Sequence, residues 1–384
     1  MRPIDCPGPA DLLAALNRCW LNHLADPRGS FLSAAELAGR AVAVDAPALH
    51  GWARLVQGLA GYRFQAAADT RRVFADALAS LNACGDSRGA RLARLGEPIA
   101  LLREARRAEA LSWFEALQPS FQADPADPDA FFVYHGLAVC AIYAGRIDEA
   151  LTQFGRLFKL TEQPELKGFA RAIVCVNVQP LLLPLEEYSL ALHFSSEAEP
   201  ILAPYPHHPL HVIVQSHRIS SLLRLARRSE AQALLEVLLP RARLEPMAAQ
   251  AVLINATELF IELRDFDRAR LLLAESRLHA RAPSEYAHCD WAEGALARAE
   301  GRPDEALVLL REACAKLDRV REANTTVRSL VFRDMAELLG ERGQASESAR
   351  WQVAYDLEIE ALTEARTRAR RIWSHWSGLS AYSF

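Results

Sequence analysis

Apolar residues recur every three to four positions along almost the whole chain, and alanine and leucine dominate over β-branched residues. This spacing is typical of amphipathic helices, whereas the strict alternation of a half-buried strand is hard to find. Brief breaks that carry Gly, Pro, Asp or Arg separate helices that come in pairs. The pattern therefore predicts an all-α protein built from helix pairs, and pairs of this kind call for a search for internal repeats.

One heptapeptide recurs almost unchanged: GRIDEAL at 145–151 returns as GRPDEAL at 301–307. Its alanine serves as an anchor, and weaker copies of the segment extend the series. The anchors are Ala110, Ala150, Ala191, Ala231, Ala269 and Ala306, separated by 40, 41, 40, 38 and 37 residues. Further copies are expected at Ser348 and near Gly61 and Ala66. The sequence therefore predicts an array of one unit repeated with a nearly constant period.

The repeated segment has a structural interpretation. Gly145 and Gly301 lie where a helix must stop, because glycine accepts the left-handed conformation of a C-terminal cap. The anchor alanine is small because two helices approach closely there. Phe114 and Phe154, four residues after their anchors, lie one turn further on the same face. Aspartates two residues before three anchors are expected to start the second helix of a pair: Asp148, Asp267 and Asp304.

The repeat around Ala150 carries the fullest set of signature positions, which are Tyr134, Leu137, Ala138, Gly145, Ala150 and Phe154. This pattern resembles the tetratricopeptide repeat (TPR) superfamily, although Ala141 stands where that family usually has tyrosine. The long period is more similar to the repeats of MalT-type bacterial regulators and of sensory portions of bacterial signalling proteins. The resemblance implies a right-handed α-solenoid of TPR-like helix pairs, with a concave groove lined by the first helix of each pair.

Three segments are predicted: N-terminal capping helices at 1–44, the array at 45–354, and a charged helix with a tail at 355–384. Inside the array, the Pro- and Asp-rich stretch at 124–129 is interpreted as a helix start, with Asp127 as the cap and Pro128 as the first residue. In the C-terminal helix acidic residues lead and basic residues follow, which suits the helix dipole. We favour a solvating cap for this helix. The alternative is a signalling element, because a similar helix precedes the catalytic domain of repeat-containing diguanylate cyclases.

The composition matches a soluble globular protein, with 51% hydrophobic and 24% charged residues and a net charge of −4. Neither a membrane span nor a general attraction to nucleic acid is indicated. The seven cysteines are odd in number and lack a C-x-x-C pair, which fits a reducing cytoplasm. Two arginine clusters are interpreted as solvated helix faces, a late one from Arg366 to Arg371 and an early one of Arg88, Arg91, Arg94, Arg103, Arg106 and Arg107.

Motifs for catalysis or metal binding are missing from the sequence. There is no phosphate-binding glycine loop, H-E-x-x-H or G-x-S-x-G. Three histidines around Pro209 lack a nearby carboxylate or cysteine that would complete a metal shell. His288, Cys289 and Asp290 could be drawn as a nucleophile with its partners, but adjacent helical residues point in different directions. The sequence therefore predicts no enzyme activity, no metal and no cofactor.

Counting back from the anchors gives the positions that resemble the groove-lining sites of the family. They are His135, Asn177, His217, Asn255, Glu258, Trp291, Arg298 and Arg333. Asparagine is unfavourable within a helix, and its amide can bind the backbone of an extended peptide. In the alternative interpretation, Asn177 and Asn255 satisfy neighbouring loops and Trp291 belongs to the core.

We therefore expect a non-enzymatic protein–protein interaction or regulatory module that binds a protein segment or peptide in its concave groove. A ligand-sensing regulator that lacks its output domain is the alternative. No nucleic-acid or membrane partner is expected, and a homodimer is left open.

Overall fold

The structure is a computed structural model that describes residues 2–122, 124, 126–244, 249–318 and 325–373. These residues form twenty α-helices and one 3₁₀-helix, with no β-strand among them. The predicted all-α class is therefore confirmed. Within the same ranges, no helix is both long enough and apolar enough to cross a bilayer. The described helices divide into two compact units, and the division falls between residues 174 and 175 of the sequence.

The first unit contains nine helices and a 3₁₀-helix at Gln118–Phe121. Its α-helices are α1 (Ala10–Asn22), α2 (Pro27–Ala43), α3 (Pro47–Gly61), α4 (Ala67–Ala83), α5 (Ser87–Ala93), α6 (Gly96–Arg103), α7 (Arg107–Leu117), α8 (Ala130–Tyr143) and α9 (Ile147–Leu160). Sequence neighbours pack on one another throughout, as α2 does on α3 and α8 on α9. Helix α10 (Phe169–Asn177) contains the point of division.

The second unit begins with the short helix α11 (Gln179–Leu182) and continues as helix pairs. Its other helices are α12 (Tyr188–Leu202), α13 (Pro209–Arg224), α14 (Arg228–Ala242), α15 (Ala249–Glu262), α16 (Phe266–His279), α17 (Pro283–Ala299), α18 (Pro303–Asp318), α19 (Thr325–Glu341) and α20 (Ala345–Trp373). The first helices of successive pairs, α13, α15, α17 and α19, also contact one another in that order. One cluster of buried side chains runs from Val212 to Leu339 through these pairs.

The repeat is visible in the backbone as a left-handed residue five positions before each anchor. These residues are Ala105, Gly145, Glu186, Ala226, Arg264, Gly301 and Gly343, with φ between 56° and 78°. The six anchor alanines are completely buried. Gly343 confirms the copy at Ser348. A helix pair, α3 with α4, is also present near Gly61 and Ala66, but Ala66 is exposed and Gly61 has no positive φ, so this copy differs from the others at its anchor and turn.

Helix starts agree with the sequence in most repeats. Pro303 begins α18, and Asp148, Asp267 and Asp304 lie in the first turns of their helices. The start of α8 differs from the prediction, since the helix begins at Ala130 rather than Pro128. Asp127 accepts a hydrogen bond from the backbone N–H of Asp129 and pairs with Arg91 at 2.6 Å. Its carboxylate orders the turn before the helix instead of capping the helix.

The early arginine cluster also requires a correction. Arg88 forms an ion pair with the buried Asp129 at 2.6 Å and donates to the backbone oxygens of Arg2 and Pro3. Arg91 lies 4.4 Å from the centre of the Phe121 ring. These two side chains bind within the first unit, so their interpretation as solvated helix faces is wrong. It is also wrong for Arg366 and Arg370 of the late cluster, which both pair with the buried Glu187.

The predicted segment boundaries at 44/45 and 354/355 stay predictions. The long charged helix near the C-terminus is present as α20, which begins at Ala345, before the predicted boundary. The tail from residue 374 onward lies outside the described residues.

One substitution, alanine to glycine, is expected to have opposite effects on stability at a residue with positive φ and at a residue inside a helix. Ala226 is exposed and holds a φ of 56°, which costs an L-residue about 1–2 kcal/mol. We expect Ala226→Gly to raise the free energy of unfolding by about 0.5–1 kcal/mol, because glycine adopts this φ without strain. Urea unfolding measures the change. The exposed Ala233, inside α14, is the matched control, and there the same substitution should lower the free energy of unfolding. Equal signs at the two positions would contradict the assignment.

Candidate functional site

The first helices of the second unit are joined side by side by polar contacts. Arg224 Nη2 on α13 donates to Glu258 Oε2 on α15 at 2.7 Å. The other oxygen of Glu258 lies 3.5 Å from His288 Nε2 on α17. Trp291 Nε1, one turn further on α17, donates to Asp334 Oδ2 on α19 at 2.8 Å. We call these five residues, Arg224, Glu258, His288, Trp291 and Asp334, the polar ladder, since they connect all four helices.

The ladder carries charge in a buried position. Glu258 is only 8% exposed. Burial alone would raise the pKa of its carboxyl, but the Arg224 guanidinium and the neighbouring His288 outweigh burial and hold this pKa below its usual range. The carboxylate in turn raises the pKa of Arg224. The pair is therefore ionised at neutral pH, and removing Arg224 would leave the buried Glu258 carboxylate with only His288 beside it.

Asn255, predicted to bind a peptide backbone, is engaged with the helix beside it. Its Oδ1 accepts a hydrogen bond from Ser220 Oγ at 3.0 Å. Its Nδ2 donates to the backbone oxygen of Ser216 at 3.3 Å. The amide thereby connects α15 to α13. This geometry corresponds to the structural alternative weighed from the sequence, with a neighbouring helix in place of a loop.

Three further predicted residues lie where α17 meets α19. Trp291 is 5% exposed and belongs to the buried cluster of the second unit, as the alternative interpretation of the sequence had it, and its Nε1 donates to Asp334. Arg298 pairs with Glu337 at 3.0 Å and with Glu341 at 2.5 Å. Arg333 is partly exposed and pairs with Asp334 at 2.9 Å. These contacts stabilise the packing of the two helices and leave the Arg333 side chain the most accessible of the three.

The structure brings six of the eight predicted residues together on the first helices of the second unit: His217, Asn255, Glu258, Trp291, Arg298 and Arg333. His135 belongs to α8 in the first unit, where its ring stacks on Phe131 with 5.8 Å between the ring centres. Asn177 is the last residue of α10 and is partly buried. All eight remain candidates for binding, and the six lie on helices that contact one another in order, α13, α15, α17 and α19.

Sequence reasoning missed Arg224 and Asp334, and it considered His288 only as a catalytic residue. A signal was available, because Arg224 precedes Glu258 by 34 residues and Asp334 follows Trp291 by 43, each close to one repeat. Residues one repeat apart occupy equivalent positions on adjacent first helices. Complementary residue types at that spacing therefore indicate contacts between repeats.

The two imidazoles of this face differ in their contacts. His217 Nδ1 is a buried atom without a hydrogen-bond partner in the described structure, whereas His288 Nε2 lies 3.5 Å from Glu258 Oε1. Burial lowers the pKa of His217 to about 4, so its ring is neutral at physiological pH. A neutral imidazole offers one donor and one acceptor. Because buried polar groups are normally hydrogen-bonded, His217 Nδ1 is a candidate position for a ligand's polar group.

The other chemical candidates have structural roles. Burial raises the pKa of the Cys289 thiol, which disfavours the reactive thiolate. Asp290 pairs with Arg277 at 2.9 Å and with Lys316. His208 Nδ1 accepts a hydrogen bond from the backbone N–H of Leu210 at the start of α13. Within the described residues, no group of three His, Cys, Asp or Glu side chains is arranged to hold a metal ion.

A shallow groove of about 790 Å³ lies between α16, α17 and α18. Leu273 and Leu296 line it together with paired charges, among them Arg270 with Glu300 and Arg277 with Glu293. Since these charges compensate each other within the protein, the groove shows less unused polar capacity than the ladder face.

The low pKa of His217 makes stability depend on pH. The unfolded chain binds a proton at this imidazole below about pH 6.5, whereas the folded chain does so only near pH 4. Stability from this residue is therefore complete above pH 6.5 and is lost as the pH falls towards 4. We expect His217→Gln to reduce the drop in unfolding free energy between pH 7.5 and pH 5.0 by about 1–2 kcal/mol. Urea unfolding at pH 7.5 and at pH 5.0 measures this drop in the wild type and in the variant. His207→Gln, at an exposed position, should leave the drop as it is in the wild type.

Comparison with known proteins places this geometry in a structural context. No protein family profile matches the sequence, and no curated protein matches it significantly. Solved structures do match. NprR in complex with its cognate peptide NprX is 13% identical with a TM-score of 0.64, over 86% of this chain and 94% of that one. The chain has the fold of the TPR-like helical repeat proteins.

Two further TPR-like structures agree over almost their full lengths. A Rap protein complexed with Competence and Sporulation Factor is 11% identical with a TM-score of 0.60, covering 92% of this chain and 99% of that one. The apo form of RapI is 12% identical with a TM-score of 0.55, covering 94% and 98%. At these identities the likeness establishes the TPR-like fold, while function must be argued from the residues.

Proposed function

We propose that the chain is a non-enzymatic interaction or regulatory module that binds a protein segment or peptide on the ladder face of its second unit. The observation that carries this proposal is His217 Nδ1, a buried nitrogen without a hydrogen-bond partner in the described structure, on a face of aligned first helices. The similar NprR structure contains a cognate peptide, and the similar Rap structure contains Competence and Sporulation Factor, which supports the same type of ligand here.

An extended peptide backbone fits the chemistry of this face. It presents alternating N–H and C=O groups, and a neutral imidazole can bond with either. The charges of Arg224, Glu258 and Asp334 are already compensated by contacts within the protein. The face therefore favours recognition of backbone and neutral polar groups over recognition of a strongly charged segment.

The test begins with selection of peptides from a random displayed library on the full-length chain. Hydrogen exchange with a selected peptide should show protection in α13, α15 and α17. We expect His217→Ala and His288→Ala each to weaken peptide binding by about 5- to 10-fold, the cost of one hydrogen bond. The exposed His207→Ala is the control and should bind as the wild type does. Peptides that protect other helices, or that bind both histidine variants normally, would contradict the proposal.

The proposed compartment is a reducing cytoplasm. All seven cysteines are free thiols. Burial raises the pKa of Cys140 to about 12 and that of Cys314 to about 11, as expected of inert packing residues. These thiols support a module that does not depend on disulfides.

A further inference from the structure

Helix α20 is much longer than the helix it pairs with. It has 29 residues against 17 in α19, which corresponds to lengths of about 43 and 25 Å at 1.5 Å per residue. The first half of α20 packs on α19, where the Trp351 and Phe332 rings lie 5.5 Å apart. About the last dozen residues therefore have no counterpart in α19.

This second half is nevertheless buried along one side. Leu362, Ala365 and Ala369 are 8%, 2% and 0% exposed, and their spacing of three and four residues places them on one face of the helix. A cap helix buries its inner side on the last helix of the array, but these residues lie beyond the length that α19 can cover. The second half of α20 is therefore packed into the protein, and it is more than a cap.

Two arginines beside this buried stripe bind one carboxylate far away in the sequence. Arg366 Nε donates to Glu187 Oε1 at 2.9 Å, and Arg370 Nε donates to the same oxygen at 2.6 Å. Glu187 is only 6% exposed and immediately precedes α12. We call Glu187, Arg366 and Arg370 the clasp. It connects the first and last helix pairs of the second unit.

The clasp lies beside one end of the polar ladder. Glu187 immediately precedes α12, α12 packs on α13, and Arg224 of the ladder is the last residue of α13. Because consecutive helices joined by a short turn run antiparallel, the start of α12 lies beside the end of α13. The second half of α20 is consequently held close to the face on which a peptide is proposed to bind.

We propose that residues 362–371 of α20 are an internal competitor that restricts access to the ladder face while the clasp is closed. This proposal rests on the proposed function, because it assigns a regulation to that same face. Opening the clasp frees the Leu362, Ala365 and Ala369 stripe and removes the arginines from the end of the ladder. A partner then binds the open state in preference, and its apparent affinity is reduced by the fraction of closed molecules.

The first experiment compares hydrogen exchange of the full-length wild type with that of the Arg366→Gln/Arg370→Gln variant. We expect exchange in α20 after residue 358 to become at least about 10-fold faster in the variant. Arg350→Gln, at an exposed position in the first half of the same helix, is the matched control and should exchange as the wild type does. A reversed clasp, Glu187→Arg with Arg366→Glu and Arg370→Glu, should restore protection. Unchanged exchange in the double variant would overturn the clasp.

The second experiment measures the binding of peptides selected from a random library in parallel on the wild type and on the Arg366→Gln/Arg370→Gln variant. We expect peptides that protect α13, α15 and α17 to bind the variant at least about 10-fold more tightly. If the wild type and the variant bind these peptides equally well while α20 exchanges faster in the variant, the clasp only stabilises the packing of α20. That result would overturn the competitor role and leave the proposed function intact. If neither protein yields a peptide that protects these helices, the proposed function itself fails. Circular dichroism verifies that each variant is folded.

Discussion

Replacing Arg88 by alanine is expected to lower the unfolding free energy of the first unit by about 3–5 kcal/mol. The guanidinium pairs with Asp129, whose side chain is 1% exposed, so alanine leaves this buried carboxylate with only the longer ion pair to Arg91, at 3.6 Å. The substitution also removes the hydrogen bonds to the backbone oxygens of Arg2 and Pro3. Moreover, Arg88 lies 5.1 Å from the Trp52 ring centre, so its removal uncovers apolar surface.

Chemical unfolding followed by tryptophan fluorescence measures this loss. Arg94→Ala is the matched control, because Arg94 is an exposed arginine at the end of the same short helix and should change stability by less than about 0.5 kcal/mol. A second variant separates charge from packing. Arg88→Met combined with Asp129→Leu removes both partners and should cost much less than Arg88→Met alone. If Arg88→Ala behaves as Arg94→Ala does, the internal role of Arg88 is refuted.

Phe114→Ala is expected to cost about 3–5 kcal/mol, the usual range for deleting a buried aromatic ring. Phe114 is 2% exposed and occupies the position four residues after its anchor. Its sequence neighbour Trp113 is 47% exposed and provides the control within the same turn. Trp113→Ala should cost less than about half as much, since much of its surface is already in water. Similar losses at both positions would argue against the packing assigned to the repeat.

A close helix contact allows a sharper version of this test. A Cβ added to Gly136 would lie 2.3 Å from Cζ of Phe114, so Gly136→Ala should destabilise the wild type by about 1–3 kcal/mol. In the Phe114→Ala background the ring is gone and alanine favours the helix over glycine. The same Gly136→Ala change should then stabilise the protein. Additive effects of the two substitutions would contradict the contact.

The sequence predicted the periodic part of the fold well. The anchor alanines and the glycine corners at Gly145 and Gly301 follow from close helix approach and from the left-handed φ, which restrict the residue type. Other left-handed positions could not be recognised in the sequence. Ala105, Glu186, Ala226 and Arg264 hold the same left-handed conformation without being glycine, because the packing on either side compensates the local cost.

Contacts between distant residues could not be predicted in the same way. Arg88 reaches backbone oxygens 85 and 86 residues away, and Arg366 reaches a carboxylate 179 residues away. Neither separation is a multiple of a local pattern, so hydrophobic periodicity carries no information about them. An arginine in a solvated face and an arginine in a buried ion pair have the same appearance in a single sequence.

The candidate site could be predicted from the sequence only in part. Counting back from the anchors placed six residues on one face, because equivalent positions in a repeat share a surface. The count could not show that Asn255 would bond to α13 or that Trp291 would bond to Asp334. Those partners depend on how each helix is rotated about its axis, and rotation follows from core packing rather than from register.

The clasp has a consequence for how the second unit comes apart. In a repeat protein whose copies contact only their neighbours, terminal copies fray before the centre unfolds. Here Arg370 and Arg366 join the last helix to Glu187 at the start of α12, so the end copies cannot detach one at a time without breaking the same ion pairs. The second unit should accordingly melt as one cooperative block rather than as a row of independent segments.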